Sequence, residues 1–219
     1  RRAKGLVCHC ECERHVIVNT SNVNYVTTPT FTLPVGNNRY VLFMIAAPAD
    51  SYSYFPNIVT IAGTVATMIV QTEPGASQAA AIWGANIPDS TAAGDYTISV
   101  DGTSFQRKFI AVFTGVSRDP IVDAAAFKSN VSNSDGDTLT VDCVGGGWVH
   151  DIVYADADTK TAGANQSVIY NVTGRPGVSY KSGLAHGTTS MAWTWTDARS
   201  AHAVVSLRPY RPTGGAVIF

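Results

Sequence analysis

Asn57-Ile58-Val59-Thr60-Ile61-Ala62-Gly63-Thr64-Val65-Ala66-Thr67-Met68-Ile69-Val70 reads as two short β-branched runs on either side of a glycine. Asn57–Ala62 and Val65–Val70 are built from Val, Ile and Thr, whose branched Cβ suits a pleated surface better than a helix. Gly63-Thr64 between them predicts a compact hairpin. The same residues dominate the whole chain of 219: 25 Val, 13 Ile and 23 Thr stand against 6 Leu, and Glu11, Glu13 and Glu73 are the only glutamates among 16 acidic residues. With Leu, Glu and Lys so scarce, a helical bundle, a coiled coil and a Rossmann-type α/β chain are all disfavoured. A hydrophobic content of 45% with a formal net charge of −1 excludes a disordered polyampholyte. The fold class that remains is all-β.

Working outward, Thr30–Leu33 precedes a turn at Gly36-Asn37-Asn38, and Arg39–Ala47 reads as a long buried strand. Ala79–Asn86 and Asp95–Val100 follow, and the turn dipeptide Asp101-Gly102 feeds Phe105–Phe113. Ala124–Phe127 reads as a single helical turn. The polar connection Ser129–Gly136 divides the chain and is taken as a loop within one sandwich, since the strand rhythm resumes at once. After it come Thr138–Val144, Trp148–Tyr154, Ser167–Val172, Ser179–Leu184, Ser190–Thr196 and Ala201–Leu207. About a dozen short strands at regular spacing predict an antiparallel β-sandwich, jelly-roll-like, with extended N- and C-terminal arms. The expected division is a Cys/His-rich N-terminal arm over 1–15, the sandwich over 16–209 and a tail over 210–219. Arg1 in place of a Met points to a trimmed or processed start. No apolar run approaches the ~20 residues of a membrane helix. With 14% charged residues the chain lacks the basic stripe of a nucleic-acid binder. Neither membrane nor nucleic acid is expected as a partner.

Several segments, taken in order, are similar to a known group. They are Phe31-Thr32-Leu33-Pro34 and Asn38–Leu42, Val59–Gly63, Ile82–Pro88 leading into Gly94–Val100, Val112–Ser117 with Pro120–Ala124, and finally Ala203–Pro209. In this order the chain resembles a group of β-sandwich modules found in tailed-bacteriophage virion proteins and in some bacterial surface proteins, over roughly residues 30 to 209. The resemblance implies a structural or adhesive role and carries no catalytic residues. The Cys-rich arm lies outside it.

That arm holds the densest set of soft ligands. Cys8, Cys10, Cys12 and His15 would make a closed Cys₃His zinc site. Alternate residues of a straight strand lie ~6.5–7 Å apart, too far for three sulfurs to reach one ion, so the arm would have to curl. Free thiols or disulfides are the competing reading. In the loop between Asp50 and Pro56, Tyr52, Tyr54 and Phe55 are the ligand-contact candidates, with plugging one end of the sandwich as the alternative. Met191, Trp193 and Trp195 share one strand face; a sugar platform is conceivable, but the core side is the better expectation because Ala192, Thr194 and Thr196 take the other face. Asn133, Asp135 and Asp137, and likewise Asp156 and Asp158, alternate as hard oxygen ligands for Ca²⁺ would, yet neither segment completes a calcium loop, and turns bonding their own backbone are the default. His150 alternates with Trp148 and Ile152 and reads as a core-edge histidine. No nucleophile elbow, zinc-protease helix or phosphate loop is present.

The expectation is therefore a non-enzymatic structural virion protein, a capsid decoration (cement) or head–tail surface protein on the extracellular particle, homo-oligomeric and in contact with other virion proteins. Its ends are the assembly candidates. Arg1, Arg2 and Lys4 make the N-terminal arm cationic, and Val217, Ile218 and Phe219 could add a strand to a neighbouring sheet edge. The alternative is a carbohydrate- or receptor-binding adhesin module for a host surface glycan, which an array would reveal through loss of binding in Tyr52→Ala and Tyr54→Ala.

Overall fold

The computed structural model describes residues 15–16, 29–48, 55–72, 78–101, 107–128, 134–156 and 159–211. Within them the chain is all-β. The first half contains β1 (His15–Val16), β2 (Thr30–Leu33), β3 (Arg39–Ala47), β4 (Val59–Ile61), β5 (Thr64–Val65), β6 (Thr67–Gln71), β7 (Ala79–Ile87), β8 (Gly94–Val100) and β9 (Arg107–Phe113). The second contains β10 (Val116–Lys128), β11 (Ser134–Cys143), β12 (Trp148–Ala155), β13 (Thr161–Ala162), β14 (Ser167–Asn171), β15 (Gly177–Ser182), β16 (Gly187–Ala198) and β17 (Ser200–Pro209). They form four antiparallel sheets, ordered β2-β8-β4-β5, β1-β9-β3-β7-β6, β10-β17-β12-β15-β14 and β11-β16-β13.

The two strand orders are the same order written twice. Replacing β1, β9, β3, β7 and β6 by β10, β17, β12, β15 and β14 converts the first inner sheet into the second, and β2, β8, β4 become β11, β16, β13. Only β5 has no counterpart among the described strands. The halves join at Thr114-Gly115, where the Gly115 amide donates to Asn37 O and the Val116 amide to Asn38 O. Of the polar stretch 129–136, residues 129–133 lie outside the described residues, and Ser134, Asp135 and Gly136 already belong to β11 of the second half.

Side-chain alternation stacks the sheets into four layers. On β3, Val41, Phe43 and Ile45 face the first outer sheet with Trp83, Ile98 and Ile110, while Leu42, Met44 and Ala46 face the second half. On β12, Trp148, Ile152 and Tyr154 look back at the first half and Val149 and Val153 look outward. Inner strands are thus covered on both faces, which is why β3 and β12 are buried at every position, β3 as an apolar run after Arg39 and β12 with His150 and Asp151 in its interior. Outer strands such as β16 alternate buried and exposed residues. Met191, Trp193 and Trp195 take the inward face of β16, as their pairing with small polar neighbours indicated.

Two local expectations are revised. The hairpin turn falls on Ala62-Gly63, both at positive φ (47° and 78°), with Ile61 opposite Thr64. Two successive residues at positive φ make the type I′ loop, whose twist matches the right-handed twist of the flanking strands. Ala124–Phe127 is strand, paired with Val205, Val204, Ala203 and His202 of β17; the ladder overrides alanine's helix preference.

Gly177 of β15 sits beneath Trp193, and a Cβ there would lie 2.7–3.0 Å from three atoms of the indole ring. Gly177→Ala is expected to lower stability by about 1–3 kcal/mol through overpacking of a fully buried ring. Urea unfolding checks this, and an unchanged midpoint would mean that the ring is free to shift.

Candidate functional site

The densest set of buried polar side chains lies between the two sheets of the second half. Along β12 the outward positions are Val149, Asp151 and Val153, so the strand's own period pushes a carboxylate into an apolar layer. Asp151 stands opposite Ser179 of β15 and opposite Val204 of β17. Its Oδ1 accepts the Ser179 amide (2.9 Å) and hydroxyl (2.6 Å), and its Oδ2 accepts Trp193 Nε1–H at 2.8 Å. His202 on β17 completes the set, with Nε2 3.1 Å from Asp151 Oδ2 and Nδ1 3.0 Å from Asp137 Oδ2. Asp137 and Trp193 are themselves register partners on the outer sheet. The imidazole therefore straps one sheet to the other. Gln166 adds a second strap: its amide donates to Ser179 Oγ and its carbonyl accepts the Ala192 amide.

Both ring nitrogens of His202 face carboxylate oxygens, and only the imidazolium has a proton for each. Burial alone would lower its pKa; the hydrogen bonds from Asp137 and Asp151, reinforced by their charges, outweigh this and push it up to about 9. At neutral pH the cluster is a cation held between two anions, with His202 and Asp151 fully buried.

A serine, a histidine and two aspartates converge here, but in an order that does not make a hydrolytic triad. The Ser179 hydroxyl is spent on Asp151, which stands between it and the imidazole, and both imidazole nitrogens are engaged. The arrangement orients and clamps. In the first half the layer between β3 and its outer sheet is apolar, made of Val41, Phe43, Ile45 and Trp83. The topology does not demand the charges.

The residues singled out from sequence fall elsewhere. Cys8, Cys10 and Cys12 lie outside the described residues, as do Arg1, Arg2, Lys4, Tyr52, Tyr54, Val217, Ile218 and Phe219. His15 lies in β1, its backbone opposite Phe113. Phe55 is half-buried, edge-on to Trp83 at 6.0 Å. Of the acidic alternations, Asn133 and Asp158 are outside the described residues. Asp137 turns inward to His202, and Asp135 accepts the Asp197 amide. Asp156 accepts from Gln78 and so ties the two halves. Among the described residues no group of three or more His, Cys, Asp or Glu side chains is placed to hold a metal ion. Cys143 is a buried free thiol whose pKa is raised by burial and then by Asp142. His150 is fully buried rather than at the core edge, stacked on Tyr180 at 5.4 Å. Sequence reading missed Asp151 and His202 as a pair. The available signal was the His150-Asp151 pair inside the apolar run Trp148–Tyr154 and the lone His202 inside Ala201–Leu207.

A surface cleft of about 550 Å³ opens where β5 and β6 of the first half approach β10 of the second. Val65, Ile69 and Ile121 wall it, Arg118 and Asp119 mark its rim, and Tyr40 lies at its floor. A Cβ on Gly84 would collide with the Tyr40 hydroxyl, so glycine at this position lets the tyrosine lie across β7. Asn86 Nδ2 donates to Arg118 O and separates this cleft from a smaller one of about 350 Å³ beside Arg39. The Arg39 guanidinium is itself held by the Pro88 and Thr91 carbonyls at 2.8 and 2.6 Å.

No protein-family model and no curated protein matches the chain. Among solved structures it is similar to a conserved protein of unknown function from Pseudomonas aeruginosa PAO1, at 11% identity over 83% of this chain and 76% of that one, with a TM-score of 0.31. A likeness of that size bears on neither fold nor function.

Proposed function

We propose that the chain is a non-enzymatic structural protein of a tailed-bacteriophage particle, decorating the capsid or the head–tail surface, with its terminal arms docked on neighbouring subunits. The observation that carries the reading is the use made of the buried ionisable cluster. Asp137, Asp151 and His202 are closed off between two sheets and spend their hydrogen bonds on holding them together. A buried ion network is a poor source of net stability but a good source of fixed geometry, since few alternative packings satisfy every charge. A rigid body of this kind suits a subunit that must present the same surface in every copy of a shell. The order of strand and turn segments across residues 30 to 209 supports the particle setting.

Mass spectrometry of particles purified from the phage that encodes the chain is expected to find it at many copies per particle. Particles assembled without it are expected to take it up saturably in co-sedimentation, and a form lacking residues 1–15 is expected to bind at least about tenfold more weakly, a loss of ~1.4 kcal/mol or more. Absence of the chain from purified particles would remove the reading.

A further inference from the structure

We propose that the cleft between β6 and β10 is the acceptor for the Ala216–Phe219 segment of a neighbouring copy. The proposal deepens the reading of the chain as an assembling subunit and rests on it.

The first reason is the wall formed by β5 and β6. Within its sheet β6 pairs only with β7, and no other described strand lies along its outer edge. Edge strands are ordinarily blunted by a lysine, a proline or an inward charge. From Asn57 to Thr72 the sequence contains no charged residue and no proline. Val65 is 70% exposed beside the cleft. An uncharged edge with a bare valine is a template that needs a covering strand.

The opposite wall is equally open. On β10 the ladder to β17 passes from Val116–Pro209 directly to Ile121–Leu207, so Ser117, Arg118, Asp119 and Pro120 bulge away from a single residue, Arg208. The cleft is thus flanked by one free strand edge and one bulged strand, a shape suited to an extended peptide rather than to a compact ligand.

The occupant follows from where the described chain leaves the body. At the end of β17, Pro209 pairs with Val116, the Tyr210 amide donates to Gly115 O, and Arg211 Nη2 donates to Gly145 O. Arg208 meanwhile reaches Asp119 on the rim at 3.8 Å. The described chain therefore passes the cleft rim at Arg208 and reaches Gly145 at Arg211, with residues 212–219 following in the sequence. Fully extended, that stretch spans at most ~26–29 Å. It carries no charge, and Ala216-Val217-Ile218-Phe219 has the apolar, β-prone character that Val65, Ile69 and Ile121 would bury. Pro212 biases Arg211, the last described residue, to extended backbone.

The test uses the full chain with Phe219→benzoylphenylalanine, prepared as an equal mixture of ¹⁵N-labelled and unlabelled protein and irradiated. The expected result is cross-links from position 219 to peptides carrying Val65, Ile69 or Ile121, joining labelled to unlabelled chains. Val65→Glu, a change at an exposed position that leaves the melting curve unaltered, is expected to cut the yield about tenfold, the worth of one buried valine contact. Cross-links confined to single chains, cross-links elsewhere on the surface, or none would each overturn the proposal. Because the experiment needs no particles, its failure leaves the particle assay above to be judged on its own.

Discussion

His202→Leu is expected to destabilise the protein by about 3–5 kcal/mol, among the largest effects of any single substitution in the chain. Leucine fills most of the imidazole's volume, so the loss is not chiefly one of packing. It comes from leaving the Asp151 and Asp137 carboxylates without the cation that sat 3.1 and 3.0 Å away. Asp151→Asn should approach the same size for a complementary reason. An amide on the Oδ2 side would point N–H groups at the N–H groups of Trp193 and His202. Asp137, which keeps a 9% exposed side chain, has water as a substitute partner, and Asp137→Asn should be limited to about 1–2 kcal/mol. Urea unfolding of the three variants at pH 7 checks the ranking. A His202→Leu effect under about 1 kcal/mol would mean that the strap between the sheets contributes no net stability.

The second large effect is on pH. The His202 pKa rises on folding from 6.5 to about 9, so the folded state binds the proton more tightly. The resulting stabilisation is fully present below about pH 6.5, declines as pH rises, and is gone above about pH 9. Its full size is about 3 kcal/mol, the free-energy equivalent of raising the pKa from 6.5 to about 9. Stability measured at intervals from pH 6 to 9.5 should fall across that window for the parent chain and stay nearly level for His202→Leu. Parallel profiles would refute the assignment of the proton to this histidine. The comparison is needed because cysteine thiols also titrate near the top of the range.

How much of this was legible beforehand depended on which physical effect set each feature. Strand positions were legible because burial on both faces leaves a continuous apolar run, as in Arg39–Ala47, whose predicted and observed limits coincide. The β10 strand was not, since Pro120, two arginine- and aspartate-bearing residues before it and the alanine run after it disguise a ladder that only β17 reveals. The repeated strand order was invisible for a deeper reason. The two halves share connectivity while their outer layers are filled by different chemistry, Phe43 and Trp83 on one side, Asp151 and His202 on the other. Composition and spacing report what fills a layer and are blind to the order in which strands are sewn together. The ionic cluster required exact cross-strand partners, such as Asp151 opposite Ser179, and those are properties of register that a single sequence does not carry.

The repeat of strand order has a consequence for how the chain holds together. In each half the first strand lies beside the last, β1 against β9 and β10 against β17, so among the described residues no strand ladder passes from one half to the other. Apart from the backbone bonds beside the join, the halves meet through side chains, Leu42, Met44 and Phe113 on one face and Trp148, Ile152 and Val205 on the other. That is how two subunits of a dimer meet, except that Thr114-Gly115 joins them. The join fixes the concentration of each half around the other, which dilution cannot change. A single chain thereby behaves as a permanent pair, and one partner can carry a demanding charged interior while the other keeps an undemanding apolar one.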